Sequence, residues 1–131
     1  MPEPGFRFVC PPGVLAGSPE WAREMLRDGE IALLADAGGL AAVDELAHAL
    51  GLTSVTLIRG ERSADAQEET VISNAGGLPL VWVGPGFSDR ASGWARDRGA
   101  MTLLVAADAP LSEDERRRIG RFVAALGRQS E

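Results

Sequence analysis

Five short apolar runs, each separated from the next by a segment with helical spacing, recur down the chain: Arg7–Cys10, Ile31–Ala35, Ser54–Ile58, Pro79–Val83 and Met101–Ala106. A strand that is apolar at nearly every position needs cover on both faces, and a helix between successive parallel strands supplies it. The rhythm predicts an α/β fold: three layers around a five-stranded parallel sheet. The 131 residues fit one domain spanning 1–131, large enough to bury a core without a disulfide or metal. No internal repeat or linker breaks the pattern.

The intervening segments carry helix punctuation. Ser18-Pro19-Glu20 reads as N-cap, first helical position and first-turn acid, with Trp21, Ala22, Met25 and Leu26 on the buried side and Gly29 as the stop. Val43, Leu46, Ala47 and Leu50 form a core stripe closed by Gly51, while Asp44, Glu45 and His48 face away. A polar loop from Gly60 enters a short helix over Ala64–Ser73. Ser88 caps a helix running to Arg98 and stopped by Gly99. Ser112-x-x-Glu115 is a capping box opening the last helix. There Ile119, Phe122, Val123 and Leu126 point inward, and Arg116, Arg117 and Arg121 outward.

Composition removes several functions. A net charge of −6 disfavours nucleic acid and anionic membranes, which attract cationic surfaces. One cysteine and one histidine can make neither an internal disulfide nor a structural zinc site, so no metal and no cofactor is expected. All 13 basic residues are arginine, which excludes a Schiff-base or phosphate-loop lysine. No apolar run approaches the ~20 residues that span a bilayer, and Met1-Pro2-Glu3-Pro4 has no signal-peptide pattern. The expectation is a cytoplasmic protein.

The stretch from Leu78 to Leu126 carries a resemblance. Strand Leu80-Val81-Trp82-Val83 leads into a helix ending Trp94-Ala95-Arg96-Asp97-Arg98-Gly99-Ala100, then a fifth strand, a proline-containing loop and an amphipathic helix. This resembles the receiver domain of bacterial response regulators, and Ile31 to Leu50 reads like that family's second strand and helix. The resemblance implies a flavodoxin-like strand order, 2-1-3-4-5. The family's phosphorylation residues have no counterpart. Cys10-Pro11-Pro12 stands where receivers hold an acidic pair for Mg²⁺, Arg59-Gly60 where they hold the phospho-accepting aspartate, Gly84 where they hold Thr or Ser, and Ala106 or Ala107 where they hold lysine. A phosphoryl switch needs the metal and those acids to offset charge, so the resemblance is to a receiver without a phospho-switch. In that order Asp36 and Asp108 end opposite edge strands, four steps or roughly 19 Å apart, too far to share a metal.

Other candidates lie at the strand tips. Cys10 ends the first strand, and in the implied order Arg59 ends its neighbour, close enough to favour a thiolate. The run from Cys10 to Ser18-Pro19 is similar to low-molecular-weight tyrosine phosphatases and cysteine phosphocarrier domains, although Pro11 and Pro12 remove two amide donors from the loop. Gly38, Gly39, Gly84 and Gly86 permit close backbone approach by a ligand, but Gly84-Pro85-Gly86 lacks the third glycine of a dinucleotide loop. Trp94 is read as core or as an interface anchor. In receivers the face of helix 4, strand 5 and helix 5 self-associates, which implies a homodimer through Trp94, Arg98 and Arg121. The expected function is a receiver-like regulatory or protein-interaction module, more a binder than an enzyme, signalling through a protein partner, self-association or a small ligand. The alternatives are a Cys10–Arg59 phosphatase-like or phosphocarrier-like enzyme, and a nucleotide- or flavin-binding domain.

Overall fold

The structure, a computed structural model, describes residues 4–34, 39–53, 55–107 and 110–130, with side chains to 127. The elements alternate throughout: β1 (Arg7–Cys10), α1 (Pro19–Met25), β2 (Glu30–Leu34), α2 (Gly39–Leu50), β3 (Thr56–Ile58), α3 (Ala64–Asn74), β4 (Leu80–Gly84), α4 (Asp89–Asp97), β5 (Thr102–Ala106) and α5 (Glu113–Ser130). All strand pairs are parallel. The three-layer α/β architecture matches the sequence expectation. The expected strand ends at Ala35 and Ser54 lie outside the described residues.

The order within the sheet departs from 2-1-3-4-5. It runs β3-β2-β1-β4-β5, so β3 sits at the edge beyond β2, and β1 pairs with β4. Burial explains the placement. β1, β2 and β4 are buried at nearly every position, as interior strands are, whereas Thr56 and Leu57 of β3 are exposed and only Ile58 is buried. A strand with one covered face belongs at an edge. This is the succession of five of the six strands in the doubly wound sheets that bind dinucleotides, and its switch point lies between β1 and β4.

Alternating strand residues divide the core in two. On one face Phe8, Cys10, Ile31, Leu33, Val81, Val83 and Val105 pack against α1, α2 and α5 through Ala22, Met25, Val43, Leu46, Leu50 and Ile119. On the other, Val9, Ala32, Leu34, Ile58, Leu80 and Trp82 meet Val71 and Ala75 beside α3, and Ala91 of α4. Both halves of the capping box form: Glu115 N–H donates to Ser112 Oγ at 3.1 Å and Ser112 N–H to Glu115 Oε1 at 2.8 Å. Ser88 caps α4 by accepting from Ala91 N–H at 3.1 Å. Ser18 does not cap α1; its Oγ instead accepts from Arg116 Nη1 of α5 at 2.8 Å. Arg116 is therefore an inward-directed strut and not a solvated face residue as expected. No helix among the described residues is long and apolar enough to cross a membrane.

Candidate functional site

Doubly wound sheets hold ligands beyond the carboxyl ends of their strands, at the switch point. Here that point is the pair of loops leaving β1 and β4. After β1, Pro12–Val14 form a 3₁₀ turn. Pro11 and Pro12 bring no amide N–H, and Pro12, Val14 and Leu15 are buried. The loop leans across the sheet toward the segment before α5. Leu111 N–H donates to Val14 C=O at 3.1 Å, and a Cβ on Gly17 would meet Pro110 Cβ at 3.5 Å. Leu111 itself is buried in the same cluster as Leu15. The chain's own apolar loop thus covers the α5 side of the crevice.

The loop after β4 is held from the other side. Phe87 meets Trp82 edge-on, with ring centroids 5.0 Å apart. Glu68 of α3, a buried carboxylate, accepts from both the Ser88 amide, at 2.8 Å, and the Ser88 hydroxyl. Because that hydroxyl also accepts from Ala91 N–H, one carboxylate orders the whole entry to α4. The carboxylate could have been suspected from the sequence, since Glu68 lies three residues before Val71 and four before Ile72 on the core stripe of α3.

The expected site residues fall as follows. Gly84 is buried at the end of β4 and its C=O accepts from Ala107 N–H at 2.7 Å; Gly86 is exposed, with open space where a Cβ would stand. Gly39 opens α2 at φ +62°, and Gly38 lies outside the described residues. β2, which precedes Gly39, and β4, which ends at Gly84, flank β1 two strand steps apart, roughly 10 Å. Cys10 is fully buried beneath the β1–α1 loop. Arg59 is not its neighbour: β2 separates β3 from β1, and the exposed Arg59 binds Glu61 at 2.7 Å. The expected Cys10–Arg59 pair is therefore not formed, because it depended on β1 and β3 being adjacent. Asp36 and Asp108 lie outside the described residues; β2, which Asp36 follows, is an interior strand, three steps from β5 and not four. Among the described residues no three His, Cys, Asp or Glu side chains gather to hold a metal.

Trp94 and Arg98 turn partly inward. Trp94 packs edge-on to Trp82 at 6.4 Å, and the Arg98 guanidinium lies 4.8 Å over the Trp94 ring. Arg98 Nη2 donates to Leu78 C=O, and burial draws the guanidinium below its ordinary pKa. Arg121 is exposed on α5, across the sheet from α4.

Two concavities lie on the helical flank. A half-open groove of about 270 Å³ between the β1–α1 loop and α2 is lined by Pro12, Leu15, Ala42, Glu45, Leu46 and Ala49. A shallower one of about 440 Å³ runs between α1 and α5 beside Trp21. Trp21, expected on the buried side of its helix, packs against the core cluster, and its half-exposed remainder forms a wall of that groove.

Comparison of the chain with protein-family models, with curated proteins and with solved structures gives no match.

Proposed function

We propose that this chain is a non-catalytic interaction or regulatory module that works through protein contacts on its helical flank. One observation carries the reading. The loop that leaves β1 at the switch point is apolar: its Pro12, Val14 and Leu15 are buried, and the Val14 C=O ties it to Leu111. A ligand at this loop would meet apolar side chains and two positions from which proline removes the amide donor. The receiver-like alternation of elements agrees with a module of this kind, without the phosphoryl chemistry.

The strand order favours one second reading, a nucleotide- or flavin-binding domain using the exposed Gly86 and the Gly39 loop. Thermal shift against a panel of nucleotides, flavins and inorganic phosphate separates the two. The module reading expects no shift, and it expects Cys10 to resist iodoacetamide until the chain unfolds. A saturable shift abolished by Gly86→Val would establish the second reading in its place. Fast alkylation of the native protein would instead open the buried thiol to chemistry and also overturn the module reading.

A further inference from the structure

Where α4 ends and β5 begins, the fold leaves two polar atoms without partners. Arg98 Nη1 and Thr102 Oγ1 are both shielded from solvent, and neither has a hydrogen-bond partner among the described residues. They belong to one corner of the molecule. Thr102 opens β5 and, two positions before Leu104, shares the α4 face of the sheet with it. Thr102 pairs with Leu80, and Arg98 Nη2 donates to the C=O of Leu78, two residues before Leu80. The Trp94 ring lies under the guanidinium and gives the corner an aromatic wall. Arg98 and Thr102 are half-buried as residues, so their shielded atoms lie close beneath the surface.

The charge at this corner is unmatched. No carboxylate among the described residues pairs with Arg98; Asp97 beside it is exposed, and Arg7, at the same edge of the sheet, holds Glu30. Burial is what draws the Arg98 guanidinium below its ordinary pKa. A half-buried cation with an orphaned N–H, next to an orphaned hydroxyl, is costly unless an acceptor from outside the chain completes it. A guanidinium N–H and a hydroxyl proton ask for two acceptor oxygens with one negative charge, which a carboxylate supplies. A phosphate dianion carries twice the charge that Arg98 offsets, and a neutral amide forgoes the charge-assisted bond. The Trp94 ring beside it suits an apolar body behind the carboxylate. We propose that Arg98 and Thr102, backed by Trp94, form a binding site for a monocarboxylate with an apolar body, either a free acid or the carboxyl end of a peptide. The site lies at the amino edge of the sheet, away from the switch point. The inference goes beyond the module reading and does not rest on it.

Thermal shift of the full chain tests this with two acids, benzoate and an N-acetylated dipeptide ending in phenylalanine. Their neutral counterparts, benzamide and the dipeptide amide, and inorganic phosphate serve as controls. A saturable rise in midpoint is expected with at least one acid and with no control; the acid that binds more tightly identifies the source of the carboxylate. Arg98→Met should weaken that binding about tenfold or more. Because this variant also loses the bond to Leu78, Thr102→Val supplies an independent reading. Its midpoint without ligand should be unchanged or raised, since an orphaned hydroxyl is gone, while carboxylate binding falls several-fold. No saturable response to either acid, a neutral counterpart or phosphate binding as well as the acid, or carboxylate binding unaltered in Thr102→Val would overturn the proposal. None of these outcomes would touch the module reading, which the nucleotide, flavin and alkylation experiments decide.

Discussion

Gly29 illustrates how a single position can be right in identity and different in cause. Its place after a helix suggests a conformational stop. Its φ of −124° is ordinary, however, and a Cβ there would come within 2.4 Å of the Phe6 ring. The glycine is needed because Phe6, almost fully buried, lies flat against the backbone where the chain enters β2. Gly29→Ala is expected to destabilise the fold by about 1–3 kcal/mol through overpacking, read as a lower urea midpoint. Phe6→Leu in the same chain should recover part of the loss; additive losses would show that the ring is not the cause. Other single residues were legible for local reasons. Ser88, Ser112 and Glu115 cap as their spacing implies, since both partners lie within one turn. Ser18 carries the same signature and does something else, because its partner, Arg116, is 98 residues away. Side chains whose partners are distant in sequence were the ones that sequence spacing could not assign.

Helix and strand boundaries were legible because the apolar runs and their glycine and serine punctuation are local. The connection from β3 to α3, by contrast, is organised by polar contacts that composition marks only as a loop. Glu61 accepts from Thr70 Oγ1 at 2.8 Å and from Arg59 Nε at 2.7 Å, while its own amide donates to Gln67 Oε1 at 3.0 Å. The Thr70 hydroxyl first, and Arg59 second, hold the Glu61 carboxyl below its ordinary pKa. A carboxyl with a lowered folded pKa adds stability that is complete above its unfolded pKa and disappears as pH falls through the folded value. The wild-type chain should therefore exceed Glu61→Gln in urea midpoint by a constant margin near neutral pH, and the margin should close once pH drops below the ordinary carboxylate range. A margin independent of pH would assign the effect to packing. The edge position of β3 was also legible in principle, from the polar Ser54 and Thr56 at alternate positions of its run. The resemblance to receivers pointed instead to an interior strand, and with it to a Cys10–Arg59 pair that the sheet does not make.

The architecture as a set of layers followed from hydrophobic pattern; the succession of strands did not, because period and length are alike for any order of five buried runs. What decides it is which strands must be dry on both faces, a property of the assembled sheet. That succession has a consequence for how the chain comes into being. The middle of the sheet joins Arg7 to Leu80 and Phe8 to Val81, so during synthesis β1 waits for β4. Until then β1 has one neighbour, and its other flank of backbone amides and carbonyls stays open to water or to other chains. A fragment ending at Leu78 is expected to show no cooperative unfolding by circular dichroism, while the full chain folds in one step; a cooperatively folding fragment would contradict this. Synthesis and folding are thus out of phase over the whole stretch from β1 to β4, and in a nascent chain β1 keeps one flank open until β4 emerges.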